Sequence, residues 1–210
     1  MINTQKAEAK RRGAVIWDLG NVLIRWDPRH LYRRHFGADT AAMEWFLSNV
    51  CTPSWNEQLD AGLPFATAVS DLSAKFSEFQ PMIALYASHW PEMLGDQIDA
   101  NVSLLRQLKA RGVTQYALTN WSAETFPIAR ARFDFLSLFD GMVVSGIERL
   151  IKPDPAIYQV LLERYNLAPE HTYFIDDALK NVLAARALQI KAVHFTPTTK
   201  LTIDMFLPTP

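Results

Sequence analysis

The sequence predicts an α/β fold: a parallel sheet with helices on both faces, and an all-helical segment inserted after the first strand. Two patterns and a length point to it. From Asp99 onward short apolar runs alternate with segments of helical period, and such alternation requires crossover connections and a parallel sheet. Between about Asp27 and Gly95 there is helical periodicity but no strand-like alternation. At 210 residues the chain can bury one substantial core, or one core with a small inserted domain.

The elements follow in order. Ala14-Val15-Ile16-Trp17 is an apolar run that ends on Asp18 and turns at Gly20, the pattern of a strand delivering a carboxylate to its C-terminal end. In the insertion, Phe65, Val69, Leu72 and Phe76 lie on one helical face, and Trp45-Phe46-Leu47 and Ile83-Leu85-Tyr86 suggest two more helices. Val102, Leu104, Leu105 and Leu108 mark a helix running out near Gly112. Gln115 to Leu118 reads as a strand, and Ser122 as the cap of a helix through Phe133. Strands at Gly141–Ser145, Tyr173–Ile175 and Lys191–Phe195 alternate with helices at Pro155–Tyr165 and Ala178–Leu188. The organisation is a polar tail over 1–12, a core over 13–26 and 96–210, and a helical cap over 27–95.

Composition excludes several classes. Apolar residues make up 49% and charged residues 20%, as in an ordinary globular protein. The net charge is −1 and the cations are dispersed, so there is no nucleic-acid footprint; Lys10-Arg11-Arg12 reads as a solvated cluster. Cys51 is the single cysteine, which excludes an intrachain disulfide and reads as a small buried residue. The histidines show no zinc-type pairing. No apolar stretch approaches the ~18–20 residues that span a bilayer, and the N-terminus carries no signal-like apolar segment. The expectation is a cytoplasmic protein, monomer or homodimer, with neither nucleic-acid nor membrane partners.

Four loops bring polar groups to one sheet edge: Asp18, Thr119-Asn120, Lys152 and Asp176-Asp177. In open α/β sheets ligands bind at that edge. Each group has a plain structural alternative. Asp176-Asp177 suits a helix N-terminus, Lys152-Pro153 an ordinary turn, and Thr119-Asn120 a strand-end turn leading to the Ser122 cap. Together they form a chemical set. Clustered carboxylates stay ionised only beside cations. Mg²⁺ takes hard oxygen ligands from one or two carboxylates and substrate phosphate. Lys152 adds positive charge, and Thr119 and Asn120 can donate hydrogen bonds to phosphoryl oxygens. Phosphoryl transfer asks for these parts, with a carboxylate nucleophile forming an aspartyl-phosphate.

Asp18-x-Gly20-x-Val22, Thr119-Asn120, Lys152-Pro153 and Asp176-Asp177-x-x-x-Asn181 resemble the four ordered motifs of the haloacid dehalogenase-like (HAD) hydrolases. The resemblance spans about Val15 to Phe195, and the helical insertion matches the family's cap between motifs one and two. It implies a Rossmann-like core, Asp18 as nucleophile, and Lys152 steadying both Asp18 and the phosphate. Thr119 and Asn120 would bind the transferred group. Mg²⁺ would be held by Asp18, the carbonyl of Gly20 and Asp177, with Asp176 and Asn181 supporting it from behind. Among members of the family, the small sugar-phosphatase-like proteins with a first motif Asp-Leu-Gly-Asn-Val are most similar, implying a small phosphorylated metabolite as substrate.

The chain departs from the family's phosphatases at Gly20, where they usually carry a second Asp as general acid and base. Loss of such a group typically costs about 10²–10⁴-fold in rate. Three readings stay open: a leaving group that needs little help, a replacement group from the cap or substrate, or a weakly active or binding protein. The same gap opens the rival reading of a 2-haloacid dehalogenase using Asp18, since halide leaves without a proton; Lys152 and Tyr158 have suitable spacing. Against it, those enzymes are metal-free, tend to carry serines where this chain has Asp176-Asp177, and usually have an aromatic residue at the position of Gly20. In the cap, Trp55, Asn56 and Asp60, with Trp121 of the core, are candidates for substrate contact. Trp45 and Trp90 read as cap core, and Arg25 and Arg29 as surface cations near the hinge.

Overall fold

The computed structural model describes residues 13–207; the Lys10-Arg11-Arg12 cluster lies outside them. Strand β1 (Val15–Trp17) leads through Asp18-Leu19-Gly20 to a short strand β2 (Ile24–Trp26). Five helices follow: α1 (Arg29–Phe36), α2 (Thr40–Asn49), α3 (Pro53–Asp60), α4 (Phe65–Lys75) and α5 (Gln80–Ser88). The chain returns by β3 (Leu94–Gln97). It then alternates through α6 (Asp99–Ala110), β4 (Gln115–Thr119), α7 (Phe126–Arg132), β5 (Gly141–Val144), α8 (Ser145–Glu148), α9 (Pro155–Arg164), β6 (Tyr173–Asp176), α10 (Leu179–Ala187) and β7 (Lys191–His194).

The main sheet is parallel and has the order β5-β4-β1-β6-β7. Successive strands run outward on one side of β1, then on the other, so the direction of winding reverses beside β1. That reversal opens a crevice at the carboxyl ends of the strands. Asp18, Thr119 and Asp176 stand at the carboxyl ends of three adjacent strands. Side chains alternate across the sheet. Val15, Trp17, Ala117 and Ile175 face a core shared with α6 and α7, and Ile16, Leu118 and Phe174 face one shared with α9 and α10.

The inserted helices close over their own aromatic core. Tyr32 lies 5.0 Å from Phe46, and Trp55 meets Tyr86 edge-on at 4.8 Å. Two features differ from the sequence expectation. Leu94–Gln97, which straddles the expected end of the helical insertion at Gly95 and is not expected as a strand, pairs antiparallel with β2, so a two-stranded ribbon joins insertion to sheet. The helix expected from Ser122 begins at Phe126; Ser122 Oγ instead accepts from Glu124 N at 3.2 Å, closing a local turn. Short polar side chains that bond nearby backbone compete with helix in this way.

Candidate active site

The loop between α8 and α9 supplies the central cation. Lys152 is 1% exposed, and its Nζ lies 2.9 Å from Asp18 Oδ1 and 2.6 Å from Asp176 Oδ2. Burial opposes its charge, but Asp18 and Asp176 more than offset that, so the ammonium is held firmly. The loop is fixed by Asn120, whose amide nitrogen donates to Lys152 O at 3.0 Å and whose oxygen accepts from Lys152 N at 2.9 Å. Asn120, expected to donate to a transferred group, thus spends most of its bonding on positioning Lys152. One amide hydrogen is left for a ligand.

Asp176 is enclosed and saturated. It accepts from Ala178 N at 2.8 Å, from Lys152 Nζ, and from Asn181 Nδ2 at 3.0 and 3.1 Å. Thr119 Oγ1 and Asn181 Oδ1 are buried with no partner among the described residues. A buried polar atom without a partner costs about 1–3 kcal/mol, so both sites favour a ligand or water that completes them.

Carboxylate oxygens of Asp18, Asp176 and Asp177 lie within 4.8 Å of one another. One ammonium among three carboxyls leaves a net negative cluster. Burial pushes Asp18 up, Lys152 pulls it down, and Asp176 and Asp177 push it up again, to about 7. Burial and Asp176 raise Asp177 as well. A hard divalent cation would restore Asp18 to an anion, so the donor set fits Mg²⁺.

These residues open on a cavity of about 410 Å³ whose far wall comes from the inserted helices. Asp18, Gly20, Asn120, Trp121, Lys152, Asp177 and Asn181 line the core side. Asn56 and Asp60 line the other, as expected. Trp55 does not: it is buried against Tyr86, because its position on α3 points into the cap's aromatic core. Trp90, read as cap core, is buried in that core and also lines the cavity, 5.7 Å from Trp121. Arg29 also lines it, but its guanidinium is bound by Glu44 at 2.6 Å and Asp27 at 3.2 Å. Arg25 is exposed. Tyr158 is buried and donates to Asn181 O at 3.0 Å, away from the cavity. Cys51 is buried at the cavity wall, and burial pushes its thiol up to about 12, outside nucleophilic range. Asp60 was legible only as a polar residue in the cap; its distinctive environment comes from residues far away in sequence.

A parallel sheet whose carboxyl edge gathers a buried lysine among three acids, under a helical wall, is an α/β fold with a candidate active site at the mouth of the sheet. A family model described as haloacid dehalogenase-like hydrolase matches residues 13–189, and the chain belongs to that family. It is 29% identical over 194 residues to the sesquiterpene phosphatase astK of Aspergillus oryzae, covering 91% of this chain and 94% of that protein. Over a shorter stretch of 63 residues it is 36% identical to the phosphorylated carbohydrates phosphatase of Thermotoga maritima, covering 30% of this chain and 29% of that protein. The fold is similar to that of the HAD family enzyme bt-2542 of Bacteroides thetaiotaomicron, solved with magnesium and inorganic phosphate (TM-score 0.68, 20% identity, 90% of this chain and 96% of that one). Among the described residues no helix is long and apolar enough to cross a membrane.

Proposed function

We propose that this hydrolase is a Mg²⁺-dependent phosphatase that cleaves a small phosphorylated metabolite through an aspartyl-phosphate on Asp18. The observation that carries the reading is the Asp18–Lys152 pair at 2.9 Å beside Asp177, opening on an enclosed cavity. Asp18 attacks phosphorus, and Lys152 holds Asp18 charged and draws the phosphate to it. The unpartnered hydroxyl of Thr119 and the remaining hydrogen of Asn120 donate to phosphoryl oxygens. Asp18, the carbonyl of Gly20 and Asp177 would hold Mg²⁺, with Asp176 and Asn181 fixing them. When bound, the ion supplies positive charge against which Asp18 and the phosphate can approach. The helices over 27–95 act as the lid that excludes water.

The organic group of the substrate is apolar in this reading. Trp26, Leu47, Trp90 and Trp121 line the cavity, and two kinds of relative, a sesquiterpene phosphatase and a carbohydrate phosphatase, bracket the choice. The same wall also carries Ser48, Thr52, Asn56 and Glu57, so the preference for an apolar group rests on Trp26, Leu47, Trp90 and Trp121 and on the longer match to the sesquiterpene phosphatase. A dehalogenase reading fits less well, because the acids within 4.8 Å of one another repel a haloacid carboxylate unless a cation is bound.

The test is phosphate release from a panel of prenyl, alkyl and sugar phosphates, with Mg²⁺ and with chelator, beside Asp18→Asn. Mg²⁺-dependent release that vanishes in the variant, with prenyl or alkyl esters ahead of sugars, is the expected result. Activity in Asp18→Asn would refute the mechanism; 2-haloacid turnover in chelator without phosphate release would transfer the site to dehalogenation.

A further inference from the structure

An ester of an unactivated alcohol cannot leave as an alkoxide at useful rates, so a phosphatase acting on such esters needs a proton donor. Gly20 provides none, and the titratable groups around the cavity are nearly all committed. Asp18 and Asp177 belong to the nucleophile and cation. Lys152 is locked between Asp18 and Asp176. Lys180 and Glu57 pair with each other at 2.6 Å, and Arg29 is held by Glu44 and Asp27. Tyr86 donates to Asn56 Oδ1 at 2.8 Å, and burial pushes its hydroxyl well above the ordinary range.

Asp60 is the exception. It ends α3, on the cavity wall opposite the sheet edge. Its place is set by contacts with the core rather than the cap. Ser145 Oγ donates to its carbonyl at 2.5 Å and accepts from Trp121 N at 2.8 Å, so one buried hydroxyl ties the end of α3 to the loop after β4. Gly62, with φ +99°, completes the tie: a Cβ there would stand 3.0 Å from Gly146 O, so only glycine permits this approach. The carboxyl accepts from Asn56 Nδ2 at 2.8 Å and from the Ser122 backbone N–H. Both of these partners are donors, so a proton on Asp60 finds no acceptor among them and is free for a group in the cavity. The charged and titratable groups facing it are Glu57 from its own helix, Tyr86 from α5 and Lys152 from the core.

Resting on the phosphatase reading, we propose that Asp60, presented from the cap, is the general acid and base that replaces the residue missing at Gly20. In the first half-reaction its carboxylic acid gives a proton to the bridging oxygen. The Asp18 oxygen–phosphorus bond forms, the ester P–O bond breaks, and a neutral alcohol leaves. In the second, the Asp60 carboxylate takes a proton from water as the water oxygen bonds to phosphorus and the bond to Asp18 breaks, releasing phosphate and restoring both carboxyls. Burial pushes Asp60 up to about 7, against the pull of Ser122, Asn56 and Lys152, which suits a group that must give and take a proton near neutrality.

The experiment compares hexyl phosphate with 4-nitrophenyl phosphate, whose leaving group needs no proton, in wild type, Asp60→Asn and Gly20→Asp/Asp60→Asn with Mg²⁺. Nothing lies within 4 Å of a Cβ built on Gly20, so an aspartate can be seated there. The expected loss in Asp60→Asn is about 10²–10⁴-fold in turnover of hexyl phosphate. With 4-nitrophenyl phosphate the variant should release one equivalent rapidly and then slow, because base-assisted loss of the phosphoryl group from Asp18 is impaired. The double variant should recover turnover, which a merely structural role for Asp60 would not allow. Asp60→Asn that keeps hexyl phosphate turnover, or loses the burst and is not rescued, would overturn the proposal and leave the phosphatase reading standing. Wild-type activity confined to 4-nitrophenyl phosphate would overturn it too. A wild type silent on both esters would remove the phosphatase reading and this proposal with it.

Discussion

The two walls of the cavity are built on opposite principles. On the sheet edge, Asp18, Lys152, Asp176 and Asn181 hold one another through short, buried, charge-assisted bonds, and their positions come from strand ends in register. On the helical wall, rings of Trp90 and Tyr86 and the carboxyl of Asp60 are set by packing and by a few ties to the core. The edge is poised for one kind of chemistry, because moving any member strands a buried charge. The opposite wall is built from rings that carry no charge, and in the proposed reading substrate choice resides there. Asp60 is the exception on that wall, since its ties to Ser122 and Ser145 make it move with the core.

The sharpest way to break this contrast is Lys152→Met. It leaves buried Asp18 and Asp176 without their cation and should abolish turnover while costing about 3–5 kcal/mol of stability; urea unfolding measures it. A loss below about 1 kcal/mol would show that the charges are not interlocked.

Next is the pH dependence of stability at Asp60. Its folded value of about 7 exceeds the unfolded value of about 3.9, so the native state holds the extra proton. Stability from this group therefore falls as pH rises from about 4 to about 7. Asp60→Asn removes that slope, and its melting temperature should gain on wild type between pH 5 and pH 8; parallel curves would deny the raised value.

Trp90→Leu tests the other wall. It should re-rank alkyl and sugar phosphates by roughly 10–200-fold in kcat/KM, while inhibition by inorganic phosphate, which reports the sheet edge, stays unchanged. The smallest effect is expected at the rim, where Lys180 meets Glu57 with both side chains about half exposed. Lys180→Met should cost at most about 1 kcal/mol, measured by urea unfolding.

Much of the core and its edge was legible in the sequence. Each strand of the main sheet is a short apolar run, and each candidate acid or amide follows such a run, so periodicity places both at once. The helices α2, α4 and α5 declared themselves by apolar spacing. Helices α1 and α3 did not, because their sequences, Arg29–Phe36 and Pro53–Asp60, are mostly polar and bury only two residues each. Strand β3 was hidden because Leu94-Gly95-Asp96-Gln97 holds residues disfavoured in strands, and only its pairing with β2 makes it one.

The sequence by itself determined the α/β class, the inserted helices and the acids, lysine and threonine of the sheet edge, since local period and strand-end position carry that information. Only the tertiary structure decided that Asn120 clamps Lys152, that Trp90 rather than Trp55 faces the cavity, and that Ser145 ties Asp60 to the loop after β4. Those outcomes depend on which side chains meet across distances such as the 85 residues between Asp60 and Ser145. No local pattern encodes such a meeting; the packing of helix against sheet edge creates it.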